Sequence, residues 1–524
     1  MLLSPPWLSK DNLVFGCEIL TVSFIAYLFG LVIYNRWFHP LKNIPGPFWA
    51  SITSLWYCRA VRCGRGQDYQ LPIHKKYGSF VRLTPNLVQI SDPAAIETIY
   101  GPKHEFIKGD FYQGFNPKIS TRQDNFTEPN EAAHARRRRT VAPLYTQAAV
   151  LEYEPCVDRC IALFYQRMEE FAASNAVIDM SIWLRKYTFD IIGEIFYGRE
   201  GGFGFIRDNI DYNNWCHLMD VMPNPVAAIS YVPYGLRNLY FMFQMLYPDT
   251  RAGAKGFFTV IDQSHAAVKQ RLDDMAAGKP VNRHDVLSKL LDIAASNEKQ
   301  NKDNNFDFGI LDVTTEIWAM IWAGSDTTSI ALCSIFYYLH KNPSTLAKLL
   351  AEIDAAFADG TLKTPVRFND AIKLPYLHAV VREGMRIHGS LGTGLPRIVP
   401  PGGVEICGFY FPGGTEVTMN ANAVQFDKGV FGEDSESFVP ERWIRDGERA
   451  AANMERHMLQ FGHGKRICIG RHITNTEMYK LLPTVLRDFE FELVGSKEWE
   501  TWQGWFHQPK NINVRVKRRR ATKP

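Results

Sequence analysis

The residues best suited to chemistry gather in three places, and the first is a lone cysteine in a loop punctuated by glycines. Phe461-Gly462-His463-Gly464-Lys465-Arg466-Ile467-Cys468-Ile469-Gly470 leads directly into a segment with helical spacing. Glycines permit backbone conformations closed to other residues, so such a loop can bring a sulfur close to a flat macrocycle. Backbone N–H groups at the start of the following helix, with Lys465, Arg466 and Arg471 nearby, favour the thiolate over the thiol. A cysteine beside a glycine-rich turn is by itself an ordinary core residue, but the density of the surrounding pattern sets this one apart. The Gly-x-Gly also resembles a nucleotide cradle, which the missing third glycine and Lys-Ser/Thr ending argue against.

The second place is Ala323-Gly324-Ser325-Asp326-Thr327-Thr328, in the middle of a helical pattern running from Phe308 to His340. A glycine and several hydroxyl residues weaken a regular helix there. A kink or a close packing contact would account for them. Ala319, Ala323 and Thr327, however, recur every four residues and leave a small-residue face against which a flat ring and dioxygen can lie. The third place is Glu383-Gly384-Met385-Arg386, an acid and a base one helical turn apart, followed by Pro440-Glu441-Arg442-Trp443. An isolated pair of that kind is ordinarily solvated.

At these residues the chain resembles the cytochrome P-450 family, whose haem-loop pattern Phe-x-x-Gly-x-Arg-x-Cys-x-Gly is matched at Phe461, Gly464, Arg466, Cys468 and Gly470. The resemblance covers nearly the whole chain. It implies haem b with the Cys468 thiolate as axial ligand, Asp326 and Thr327 as the catalytic pair relaying protons to dioxygen, and Glu383, Arg386 and Arg442 as a buried charge network behind the haem. A dianionic haem needs cations for its propionates, and guanidinium groups suit them. Arg466 matches the family position, Arg397 is a second candidate, and His134 with Arg138 resembles the pair on the helix that crosses the propionate edge, although many members carry tryptophan where His134 stands. The run Arg136 to Arg139 reads equally as a solvated basic face.

Thiolate ligation favours O–O cleavage. The implied reaction is therefore insertion of one oxygen atom from O2 into a lipophilic small molecule. No convincing flavin, nicotinamide or iron–sulfur motif is found in the chain, so NADPH-derived electrons have to come from a separate flavoprotein reductase. Lys465, Arg466, Arg471 and part of the Arg136 to Arg139 run form a candidate dock for that acidic partner. Phe111, Tyr112, Trp215, Phe241 and Phe243 lie in regions that cap the pocket in the family. Competing readings are desaturation, ring formation or isomerisation at the same centre, and a non-catalytic haem sensor. The overall style resembles microsomal enzymes of filamentous fungi that decorate secondary metabolites.

A large frame has to position these groups. The chain has 524 residues, 46% hydrophobic and 13% aromatic, with even composition and no long linker, which predicts one catalytic domain over 48–524. A net charge of +4, from 59 basic and 55 acidic residues, speaks against a nucleic-acid binder. Nine scattered cysteines indicate reduced thiols, and no second close pair joins Cys156 and Cys160 to make a zinc site. Leu13 to Tyr34 contains one carboxylate, Glu18, and as a helix covers about 33 Å. Residues 1–36 are thus predicted to be a retained single-pass membrane anchor, with Trp37 and Phe38 at the interface. Arg36 and Lys42 after the span, against Lys10 before it, orient the catalytic domain to the cytosol, at the endoplasmic reticulum membrane, where the sequon Asn125-Phe126-Thr127 goes unused.

Residues 37–47, with Asn43-Ile44-Pro45-Gly46-Pro47, form a stiff hinge. Tyr77 to Ile90 predicts a β-hairpin, and Glu131 to about Pro343 predicts mainly helices, Ser181 to Tyr197 among them. Val404 to Cys407 and Glu416 to Met419 predict short strands before a last helix from near Gly470. The predicted fold is mainly α with small β-sheets and a single N-terminal transmembrane helix. The basic end, Lys517 to Arg520, reads as solvated or membrane-proximal.

Overall fold

The computed structural model describes residues 10–103, 105–116, 122–279, 284–300, 308–495 and 498–519. The first nine residues of the predicted anchor and Arg520 lie outside them. Helix α1 (Lys10–Ile33) continues as a wider turn over Tyr34–Phe38. Val14–Phe38 is long and apolar enough to cross a membrane, and its apolar stretch is not covered by the rest of the chain. The hinge that follows is held by Arg82. Its N–H donates to Pro45 O at 2.8 Å, and its buried guanidinium reaches Asn35 O at 3.0 Å.

Strands β1 (Phe80–Arg82) and β2 (Leu87–Ile90) form the predicted hairpin, with Val81 opposite Gln89. Thr84 Oγ1 accepts the Leu87 N–H at 3.0 Å and closes the turn. Helix α2 (Glu131–Val141) begins where the Asn130 side chain accepts the Ala133 N–H. Past β3 (Val177–Asp179), helix α3 (Met180–Tyr197) begins the same way, with the Asp179 carboxylate accepting the Ser181 N–H at 3.0 Å. Helices α4 (Trp215–Val221) and α5 (Arg237–Gln244) precede the 32-residue α6 (Ile310–Lys341), whose first turn is fixed by Asp312 accepting the Gly309 N–H.

Helix α7 (Pro375–Ile387) opens on a proline, which has no N–H to leave unsatisfied. Short strands follow: β4 (Arg397–Ile398), β5 (Val404–Ile406), β6 (Phe409–Phe411) and β7 (Glu416–Thr418). After the cysteine loop come helix α8 (Arg471–Asp488) and strands β8 (Phe489–Leu493), β9 (Glu500–Gln503), β10 (His507–Lys510) and β11 (Asn513–Arg518). The sheets are small, in the orders β1-β2-β7-β4, β3-β11-β8, β10-β9 and β5-β6.

Helix α6 is the axis of the molecule and is buried continuously over 328–337. Two glycines let its neighbours approach closely. A Cβ on Gly324 would stand 2.5 Å from Ile192 Cδ1 of α3, and one on Gly384 of α7 would stand 2.3 Å from Ile335 Cγ1 of α6. The basic end is partly solvated, with the Lys517 and Arg518 side chains 43% and 49% exposed. Lys517 and Arg518 complete β11 and pair with Glu492 and Glu169, and Arg519 pairs with Asp354 at 2.7 Å. Edge pairing with β8 draws these residues into a sheet.

Behind α6 lies a charge network. Glu383, wholly buried, accepts hydrogen bonds from Arg386 (2.8 Å), Arg442 (3.0 Å), the Trp443 indole (2.9 Å) and the Val439 N–H (2.8 Å). Arg386 also donates to the carbonyls of Gln425, Ser435 and Ser437. The carboxylate is therefore fully hydrogen-bonded, as a buried charge must be. Replacing Glu383 by alanine strands two buried guanidinium groups, at a cost of about 3–5 kcal/mol. Glu383→Ala is expected to lower the thermal midpoint sharply and to reduce the yield of folded chain, as measured by thermal unfolding and size-exclusion chromatography.

Candidate active site

The cysteine loop is built on two glycines with left-handed backbones, Gly462 (φ +70°) and Gly464 (φ +64°). At Gly464 there is also no room for a side chain, because a Cβ would lie 1.9 Å from Tyr100 O. The loop closes through Cys468 N–H donating to Phe461 O at 2.7 Å and Ile467 N–H donating to Gly464 O at 3.1 Å. Gly470 is the residue from which α8 starts. Burial pushes the Cys468 thiol up. The N–H groups of Gly470 and Arg471 and the guanidinium groups of Arg138 and Arg471 pull the other way. Although it is surrounded by protein, Cys468 is accessible, so it borders an internal space.

Helix α6 borders open space as well. Ala323 is exposed in the middle of a buried helix, and Ala319 and Thr327 on the same face are half-buried. Thr327 Oγ1 donates to Ala323 O at 2.7 Å. Thr328 and Thr474 hydroxyls meet at 2.9 Å and pin α6 to α8, the helix that follows Cys468. Asp326 points to another side. It is fully buried, with Arg185 Nε 3.1 Å from Oδ1, and neither carboxylate oxygen receives a well-directed hydrogen bond. Burial raises its pKa to about 6 against the pull of Arg185. Arg185 is shared with Asp220 of α4 (2.9 Å), and Asp220 with Lys510 of β10 (3.4 Å).

The sequence-predicted cations converge. Arg466 donates to Glu131 at 2.7 Å while its Nη1 is buried without a partner. Arg397 donates to Tyr112 OH at 2.6 Å and Pro396 O at 2.9 Å. His134 is pulled down to about 3 by burial and then by Arg466, Lys108, Arg138 and Arg397. Lys108 and Glu131 are the residues that sequence reasoning missed, and Tyr112, named there only as a pocket aromatic, accepts from Arg397. Lys108 is buried, donates to Phe126 O at 2.5 Å and stands over the rings of Tyr112 and Phe126. No motif marks it, because its placement depends on contacts distant in sequence. A cavity of about 780 Å³ opens beside this group, lined by Tyr100, Glu131, Arg397 and Arg466 among others. An accessible sulfur flanked by N–H donors, together with an excess of buried cations and an unpartnered guanidinium nitrogen, fits an iron porphyrin with two propionates.

Two expectations need correction. Arg137 is buried against α6, paired with Asp312 and with Glu316 (3.0 Å), so it cannot form part of a docking face; Arg136, Arg139 and Lys465 are exposed. Phe241 and Phe243 of α5 are 46% and 57% exposed and cap nothing. Phe111, Tyr112 and Trp215 are buried among other aromatic rings. In the sequon, Asn125 donates to Glu316 at 3.1 Å, so its side chain is committed to the interior.

Comparison with known proteins identifies the family. The family model for cytochrome P-450 matches residues 44–516. A cytochrome P-450 monooxygenase of Penicillium aethiopicum, gsfF, is 38% identical over 499 residues, covering 94% of this chain and 97% of the relative. Another from Emericella nidulans, cicH, is 35% identical over 510 residues, 96% and 98% of the two chains. A pisatin demethylase of Fusarium vanettenii is 32% identical over 510 residues, 96% and 94%.

Gly464 gives the loop its most exacting requirement. Gly464→Ala is expected to abolish most haem incorporation, read as the ratio of Soret to protein absorbance in the purified chain. A substitution at the exposed Lys465 should leave that ratio unchanged.

Proposed function

The chain belongs to the cytochrome P-450 family and is a monooxygenase of it, and on that premise we propose that it inserts one oxygen atom from O2 into a lipophilic small molecule of fungal secondary metabolism. The observation that carries this reading is the open face of α6 at Ala323 and Thr327, pinned through Thr328 and Thr474 to the helix that follows the accessible Cys468. Haem b, when bound, supplies redox-active iron whose thiolate ligand favours O–O cleavage. The chain's residues do the rest. Cys468 ligates the iron; Arg466 and Arg397, with His134 and Arg138, hold the propionates. Phe461, Gly464 and Gly470 shape the loop, and Glu383, Arg386 and Arg442 keep the frame behind it rigid.

Asp326 and Thr327 divide the proton relay. Asp326, raised to about 6, exchanges protons near neutrality beside Arg185 and Asp220, and Thr327 presents a hydroxyl to the open face. Ala319 and Ala323 leave room for dioxygen and substrate. Residues 1–36 serve as the anchor, 37–47 as the hinge and 48–524 as the haem-binding domain, on the cytosolic face of the endoplasmic reticulum. Phe48, Trp49 and Leu55, together with Tyr234, Leu236, Leu239, Phe241, Met242 and Phe243, expose an apolar surface. Cys58 to Tyr240 and Arg62 to Gln244 hydrogen bonds join its two parts, and this supports a membrane-resting role for it.

Electrons come from an NADPH-dependent flavoprotein reductase. Exposed Arg136, Arg139 and Lys465 support a basic docking face for it. Reversing the charge of Arg136 and Arg139 together is expected to slow reductase-driven haem reduction at low ionic strength and to flatten its salt dependence, as measured by stopped-flow absorbance.

The function itself is tested by mass spectrometry of metabolites from the source organism carrying the native gene or Cys468→Ala. A compound lost in the variant and heavier by one oxygen than one that accumulates is the expected result. A pair differing by two hydrogens, or only as isomers, would replace oxygen insertion with desaturation, ring formation or rearrangement.

A further inference from the structure

Hydroxyl groups take up the carbonyls of α6 around its open face. Ser325 Oγ donates to Ile321 O (2.6 Å), Thr327 Oγ1 to Ala323 O (2.7 Å) and Ser329 Oγ to Asp326 O (2.9 Å), all within the helix. Such back-bonding is routine for helical serine and threonine. One bond of the set comes from elsewhere: Ser390 Oγ donates to the carbonyl of Thr327 at 2.9 Å across 63 residues of sequence.

Ser390 lies just past α7 in a segment held firmly on its far side. Gly389 N–H donates to Asn422 Oδ1 (2.9 Å), His507 N–H to Ser390 O (2.9 Å) and Gly392 N–H to Trp505 O (2.7 Å). The segment also lines an internal cavity, where Ser390, Leu391 and Thr393 face Arg397, Gly462 and Arg466. The next residue of α6, Thr328, is pinned in another direction by Thr474. At residues 327 and 328, then, α6 is cross-linked to a cavity wall on one side and to the helix after Cys468 on the other.

We infer that Ser390 is a positioning residue for the oxygen chemistry: it fixes the backbone of Thr327 to the cavity wall and so sets where the threonine hydroxyl stands. The inference rests on the reading of Thr327 as a proton relay. Ser390 is half-buried on a connecting segment, and one neutral hydrogen bond contributes too little to decide folding. Displacing a catalytic group slightly, by contrast, has a large effect on the reaction it serves. With Thr328 still held by Thr474, loss of the Ser390 bond leaves the carbonyl of Thr327 to its helical partner alone and loosens the turn that sets where its hydroxyl stands relative to the wall.

The test compares Ser390→Ala, Ser390→Thr and Thr327→Ala in the full chain, reconstituted with an NADPH-cytochrome P-450 reductase and no added substrate. One readout is hydrogen peroxide released per NADPH oxidised, since O2 that has taken up two electrons from NADPH leaves with two protons as peroxide when proton delivery for O–O cleavage is misdirected. The other is amide hydrogen exchange of peptides spanning residues 323–331. Ser390→Ala is expected to raise the peroxide yield above that of the native chain, because displacing a catalytic group lowers the efficiency of the step it serves, and to speed exchange in 323–331. Ser390→Thr should restore both, with haem content and the carbon-monoxide difference spectrum unchanged throughout. The inference is overturned if Thr327→Ala raises peroxide and Ser390→Ala does not, whether or not exchange changes. If Thr327→Ala itself leaves peroxide unchanged, the relay reading falls and takes this inference with it.

Discussion

For a Cys468 that serves as the proposed thiolate ligand, keeping its sulfur anionic inside the protein is the constraint from which much of the architecture follows. Burial raises its proton affinity, and only local groups can lower it again: two N–H donors at the start of α8 and the guanidinium groups of Arg138 and Arg471. Those donors act only if the loop holds the sulfur over the helix terminus, which Gly462 and Gly464 permit with left-handed backbones and which Tyr100 O enforces by leaving no room at Gly464. The same electrostatic logic governs the opposite edge of the site. Lys108, Arg138, Arg397 and Arg466, gathered around a His134 that they hold neutral, share few carboxylates, chiefly Glu131, and the proposed dianionic porphyrin would supply the missing charge.

Holding the loop in place is the task of groups far from the sulfur. Glu383 organises Arg386 and Arg442, and Arg386 reaches the carbonyl of Gln425. The Gln425 side chain donates back to the carbonyls of Met385 and Arg386 and accepts the Leu459 N–H at 2.8 Å. Leu459 stands two residues before the loop begins. A continuous set of buried hydrogen bonds therefore runs from α7 to the cysteine loop, and α6 is locked against α7 by the close contact at Gly384 and against α8, the helix after the loop, by the Thr328–Thr474 pair. Buried networks of this kind specify one geometry because any half-satisfied alternative strands a charge.

What was legible in the sequence is what is local. The cysteine loop, the Glu383–Arg386 spacing and the Ala319–Ala323–Thr327 face each follow from a single stretch of chain. Lys108 and Ser390 were not legible, since each acts on a partner far along the sequence and carries no pattern of its own. Arg137 was misjudged although a signal existed: His134, Arg137 and Val141 fall on one helical stripe, and all three are buried. Phe241 and Phe243 illustrate a different limit. An apolar side chain that faces lipid and one that caps a pocket look alike in sequence, and only the exposed surface of α5 separates them.

Helix geometry explains why Asp326 and Thr327 stand apart. Consecutive residues on a helix point about 100° from each other, so no rigid α6 can turn both toward the same space. Thr327 takes the open face, where a small hydroxyl leaves room for dioxygen, and Asp326 is left against α3 and α4, where Arg185 partly compensates its charge. A carboxylate on the open face would bring a second full negative charge beside a thiolate-ligated iron and would draw water into the pocket. The division of the proposed relay into a buried acid and an accessible hydroxyl thus follows from the 3.6-residue turn as much as from the chemistry.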